Sequence, residues 1–185
     1  MTQFEFISVF ISIVLAFGVS DILSSWGEQI RLRKQIRIYW LHVAWSALLL
    51  ILMIQVWWSL WVLRERTDWT FPEYLLLIVP FLTVALIAYL MTPSLRDGDK
   101  DIRKHYWDNS SWMFSLAAVY MFFAMTFSFV IVGDELLELR NTILVGALVL
   151  MVALAVSKNE KFHAAAAIVA GALLVSWVGV SMFSL

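Results

Sequence analysis

Asp21 is the acidic residue set deepest in an apolar stretch, with Val14-Leu15-Ala16-Phe17 before it and Ile22-Leu23 after it. An ionisable group within lipid costs about 2.5–3.5 kcal/mol even on a lenient insertion scale, so such a residue calls for a partner or a function. On a helix, Gly18, Ser25 and Glu28 share its face at three- and four-residue spacings. His42 and His163 fall at comparable depth, each just inside the end of another apolar stretch. Asp21, Ser24, Ser25, His42 and His163 therefore form one candidate set. A carboxylate and an imidazole can share a proton, and serine hydroxyls can complete an oxygen shell around a cation, so the chemistry is passage of protons or small ions. The same two histidines could instead be the axial ligands of a haem, one from each helix; nothing else in the chain calls for a cofactor. The competing reading is structural: each histidine bonds a nearby backbone group or hydroxyl, and Asp21 is an interfacial carboxylate.

Other chemistry-bearing patterns are weaker. Asp97-Gly98-Asp99-Lys100-Asp101 with Asp108 has the acidic spacing of a calcium loop, but Ile102 stands where the turn needs glycine and Lys100 and Lys104 repel a cation. A solvated loop is the expectation there, and an acidic outer loop at Asp134, Glu135 and Glu138. No zincin motif, nucleophile elbow or potassium-filter sequence is present, no nucleophile and base can be paired, and no enzyme activity is expected. The basic stretch Arg31, Arg33, Lys34 and Arg37 suits anionic lipid headgroups.

The elements that must position these residues follow from composition. The chain has 185 residues, of which 62% are apolar and 15% charged, with 10 Trp and 13 Phe. Soluble domains are nearer half apolar and a quarter charged, so the solvent for this chain is lipid. Apolar runs bounded by charge predict six membrane-spanning helices near residues 4–23, 39–62, 71–91, 111–132, 142–157 and 162–183, an all-α transmembrane bundle in a single domain. These runs do not alternate apolar and polar residues, which excludes a barrel. Six spans leave no room for a nucleotide-binding, kinase or nucleic-acid-binding domain. The absence of cysteine excludes disulfides and thiolate metal sites.

Basic residues set the orientation. Arg31, Arg33, Lys34, Arg37, Arg96, Lys100, Arg103, Lys104, Lys158 and Lys161 fall in the first, third and fifth connections, against Arg64, Arg66 and Arg140 on the opposite side. This split predicts the odd connections in the cytoplasm and both termini outside. Trp40 and Trp45 at one end of the second span, and Trp57, Trp58 and Trp61 at the other, fit two interfacial belts.

Local signals mark the ends and contacts of the spans. Thr70-Phe71-Pro72-Glu73 combines a capping box with an early proline and starts the third span, and Asp108-Asn109-Ser110-Ser111 offers caps for the fourth. Pro80, inside the third span, predicts a kink or a hinge. Ser8, Ser12, Ala16, Ser20 and Ser24 form a small-residue stripe on the first span that predicts a close helix contact, and the alanines and glycines of the last two spans predict tight packing there or between subunits of a homo-oligomer. The second and fourth spans, rich in Trp, Phe and Met, are expected to face lipid.

Tyr39-Trp40-Leu41-His42 with Trp45, then Gln55-Val56-Trp57-Trp58, Trp69-Thr70-Phe71 and His105-Tyr106, resemble an uncharacterised family of small bacterial polytopic membrane proteins. The resemblance covers roughly the first two thirds of the chain and implies a bacterial inner-membrane location, without an activity or catalytic residues. The leading expectation is a small ion or proton channel or transporter working as a homo-oligomer; the alternative is a non-transporting sensor or accessory module that binds a partner protein or lipid.

Overall fold

The computed structural model describes residues 2–93, 101–132 and 139–183. Among these residues there are six helices and no strand: α1 (Gln3–Arg31), α2 (Trp40–Ser59), α3 (Phe71–Met91), α4 (Ile102–Phe127), α5 (Leu139–Val156) and α6 (Glu160–Phe183). One 3₁₀ turn, Leu60–Leu63, extends α2, and one π-helical turn, Ser128–Val132, extends α4. Among the described residues, four helices are long and apolar enough to cross a membrane: α1, α2 with its 3₁₀ turn, α3, and α4 as far as Ile131. The chain is all-α and built to meet lipid. Its surface supports this, since Phe6, Ile13, Phe17, Ile54, Trp61, Phe71 and Trp112 are all more than half exposed while Ile11, Leu41, Val84 and Leu154 are fully buried. A water-soluble domain rarely leaves so much large apolar side chain uncovered.

Helix starts follow their local chemistry. Thr2 and Glu5 close a reciprocal capping box on α1, and Thr70 and Glu73 close the expected one on α3. The fourth helix departs from expectation. Asp101 caps it by accepting from the backbone N–H groups of Arg103 and Lys104, so the helix begins at Ile102, nine residues before the predicted start at 111. Asp108, Asn109, Ser110 and Ser111 thus lie within α4 and cap nothing. Asp101 and Asp108 belong to a cap and a helix, not to a calcium loop, while 94–100 and 133–138, including Asp97, Gly98, Asp99, Lys100, Arg96, Asp134, Glu135 and Glu138, lie outside the described residues. At about 1.5 Å per residue, the 26 residues of α4 reach about 39 Å, longer than the roughly 30 Å of a bilayer's hydrocarbon.

α3 and α4 stand side by side, flanked by α1 and α5, while α2 lies against α1, α3 and α4 and carries α6. The fourth helix packs on both α3 and α5 yet keeps Trp112, Phe122 and Phe129 exposed, as expected of a face turned to lipid. α5 and α6 touch each other little: the first packs on α4 and the second on α2. On α1 the buried face is Ile7, Ile11, Leu15, Gly18, Ile22, Ser25 and Gln29, at spacings of three and four. The serine stripe lies beside that face, with Ala16, Ser20 and Ser24 exposed. Close approach comes instead from Gly18, where an added methyl carbon would sit 2.5 Å from Met53 Cε, 3.2 Å from Ala88 Cβ and 3.3 Å from Ala85 Cα. Two indoles fasten α1 to α2: Trp26 donates to Ser46 Oγ at 2.9 Å and Trp57 to Ser12 Oγ at 3.0 Å. Of the two tryptophan belts, Trp40, Trp57, Trp58 and Trp61 are exposed as an interface requires, whereas Trp45 is core. Pro80 is buried and α3 continues through it as helix.

Side-chain ties show which connections share an end of the bundle. Arg37 forms a backbone bridge with Asp101, and Glu160 accepts from Tyr39 and Arg103, so the first, third and fifth connections lie together. At the other end the Trp69 N–H donates to Gln3 Oε1 at 3.1 Å, joining the second connection to the N-terminal turn.

Candidate functional site

The polar groups of the bundle concentrate where the odd connections meet. α3 ends at Met91, with Thr92 and Pro93 following, so its last carbonyls lack helical partners. Two histidines from neighbouring helices supply them. His42 Nε2 lies 2.7 Å from Met91 O and His105 Nε2 lies 3.0 Å from Leu90 O. A carbonyl only accepts, so both imidazoles carry their hydrogen on Nε2. Asn109 Nδ2 approaches His105 Nδ1 at 3.4 Å, while the buried Nδ1 of His42 has no hydrogen-bond partner among the described residues. The two rings sit 6.3 Å apart, edge to face.

His163 is held on both sides. Its Nε2 donates to Ser157 O at 3.1 Å, across the turn that joins α5 to α6, and its Nδ1 accepts from the Tyr106 hydroxyl at 2.6 Å. Both side chains are fully buried. Rings of Trp107, Phe114 and Tyr106 surround the imidazole at centroid distances of 4.8, 5.1 and 5.8 Å. Asn159 caps α6 through the N–H groups of Lys161 and Phe162, which positions His163 one turn into the helix. Above this layer, Tyr39 donates to Glu160 Oε1 at 3.0 Å and Arg103 to Glu160 Oε2 at 2.8 Å. The Arg103 hydrogen bond, followed by that of Tyr39, holds the Glu160 carboxyl below the usual carboxylate range. Lys158 crosses to α4 and donates to Trp107 O and Ser110 Oγ, both at 2.8 Å.

The sequence-derived set is placed as follows. Asp21 is half-buried and makes no hydrogen bond or ion pair among the described residues; Ser24 is exposed; buried Ser25 accepts from Gln29 Nε2 at 3.0 Å. No hydrogen bond joins these three to His42 or His163, and each histidine is instead tied to α3 or to Tyr106 and Ser157. With both ring nitrogens of His163 engaged, this arrangement leaves none for an axial haem bond, so the residues do not fit that group. Among the described residues no group of three or more His, Cys, Asp and Glu is placed to hold a metal ion. Of the basic stretch, Arg31 lies 3.5 Å from Glu28, Arg33 donates to Ile30 O at 2.9 Å, and all four of Arg31, Arg33, Lys34 and Arg37 are exposed.

Comparison with protein-family models, curated proteins and solved structures finds no match to this chain. The site must be read from its own geometry. Sequence reasoning missed the roles of Tyr106, His105, Trp107, Lys158 and Glu160. A signal was available, because Tyr39, His42, Trp45, His105 and Tyr106, from two of the four quoted motifs, gather at this end of the bundle.

Proposed function

We propose that this chain is a non-transporting multi-pass membrane protein, an accessory or sensor module, seated in the bacterial inner membrane with the odd connections in the cytoplasm and both termini outside. One observation carries the reading: the three histidines at the inner end are spent on tying helices together, and none of them is joined to Asp21. His42 and His105 cap α3, His163 joins α4 to the α5–α6 turn, and Asp21 bonds to neither His42 nor His163. A relay needs neighbours that exchange protons in series, and here the series is interrupted at each histidine by a backbone carbonyl, which accepts a hydrogen bond but does not relay the proton onward.

Such a module works by contact. The exposed Arg31, Arg33, Lys34 and Arg37, with Lys104 and Lys161 at the same end, make a basic face suited to anionic headgroups of the adjacent leaflet and to an acidic partner segment. The test is reconstitution into vesicles that entrap a pH-sensitive dye. Under proton, sodium or potassium gradients the protein should give no flux above empty vesicles. Flux that Asp21→Asn removes while the fold persists would overturn the reading in favour of transport through Asp21, Ser24, Ser25, His42 and His163.

A further inference from the structure

Where the first turns of α4 meet the α5–α6 turn, an open groove of about 530 Å³ is lined by Arg103, Trp107, Asp108, Lys158 and Glu160. Its charges are held in place but not exhausted. Lys158 spends two of its three N–H donors on Trp107 O and Ser110 Oγ. Glu160 is fixed between Tyr39 and Arg103, and the pair with Glu160 uses one of the five guanidinium N–H donors of Arg103. Asp108 is exposed and makes no hydrogen bond or ion pair among the described residues. The groove thus offers spare cationic donors together with a free carboxylate, a combination matched by a ligand that carries both signs of charge.

We propose that this groove binds the headgroup of an amino-phospholipid, one with a phosphodiester and a primary ammonium. Depth favours a lipid over a soluble amino-phosphate. Arg103, Trp107 and Asp108 precede the apolar run of α4 by no more than about 12 Å of helix rise, and Lys158 and Glu160 lie between two apolar runs, so all five reach the headgroup layer. Lys158 and Arg103 meet the phosphodiester; Asp108 accepts from the ammonium. Selectivity follows from the same atoms. A trimethylated ammonium has no N–H to give Asp108, and a glycerol headgroup leaves that carboxylate unpaired beside the phosphate. This assignment does not depend on whether the protein transports ions.

The test counts lipids retained by the detergent-purified full chain, by native mass spectrometry, after equal addition of phosphatidylethanolamine, phosphatidylcholine or phosphatidylglycerol. Phosphatidylethanolamine should be retained over the other two on the order of tenfold, the worth of one hydrogen bond to a charged group. Asp108→Asn should erase its advantage over phosphatidylcholine and raise the phosphatidylglycerol count, with the protein still folded. Equal retention of all three lipids, or an ethanolamine preference that survives Asp108→Asn, would overturn the proposal. Free phosphoethanolamine should displace the lipid only weakly; displacement as effective as that by added lipid would overturn the assignment to lipid. Vesicle flux bears on the non-transporting reading and leaves this result untouched.

Discussion

The Tyr106 hydroxyl donates to His163 Nδ1 across 2.6 Å although 57 residues separate the two in the chain. This bond, with the one from His163 Nε2 to Ser157 O, fastens α6 to α4 and to its own turn within a shell of aromatic rings. Tyr106→Phe keeps the ring contacts and removes only the donor, leaving a buried imidazole nitrogen unpaired. Thermal unfolding in detergent should show a loss of about 1–3 kcal/mol. His163→Phe combined with Tyr106→Phe should cost less than the sum of the two single changes, because both remove the same bond. Strict additivity would show that the bond does not couple them.

Gly18 tests the packing of α1. Ala85 Cα is backbone and cannot swing away from an added methyl, whereas Met53 Cε can, so Gly18→Ala should destabilise by about 1–3 kcal/mol, the usual cost of overpacking. Gly18→Leu should prevent α1 from seating on α3, read as a collapse of the monodisperse peak in size-exclusion chromatography. A Gly18→Leu protein as stable as the parent would contradict the close approach.

Much of this architecture is legible from the chain. Long apolar runs bounded by charge gave the helices, Thr70 to Glu73 marked the start of α3, and alternating basic connections anticipated which ends lie together. The first turns of α4 were not legible, because residues 102–110 are polar and their helicity depends on what they meet: Leu90 O for His105, Glu160 for Arg103 and Lys158 for Ser110. The histidine partners escaped for a related reason. A free carbonyl at a helix end is a property of every residue type, so Leu90 and Met91 announce nothing in sequence, and residue types alone paired His42 with Asp21 instead of with the end of α3.

Acid should loosen the end of the bundle where the odd connections meet, through Glu160. Its carboxyl is held below the usual carboxylate range by Arg103 and then Tyr39, so its folded-state value lies below its unfolded one. The stability it contributes is therefore present in full above the ordinary carboxylate range and is lost as pH falls through the lowered folded value. The difference in unfolding midpoint between the parent protein and Glu160→Gln should shrink steadily on acidification through that window. A difference that stays constant with pH would rule out the ion pair as its source.

Asp21→Asn should leave the unfolding midpoint within error of the parent, since no hydrogen bond or ion pair among the described residues is lost. A loss as large as that of Tyr106→Phe would mean that Asp21 holds a partner the geometry does not supply.

The central claim, that the three histidines are locks rather than links of a proton pathway, is tested most directly by nitrogen magnetic resonance of the ¹⁵N-histidine-labelled protein in lipid at neutral pH. His42, His105 and His163 should each show one protonated and one unprotonated ring nitrogen, with the hydrogen on Nε2 and, for His163, a hydrogen bond from the Tyr106 hydroxyl to Nδ1 that Tyr106→Phe abolishes. A doubly protonated His163, or ring hydrogens at His42 and His163 that exchange rapidly with water and respond to Asp21→Asn, would contradict it.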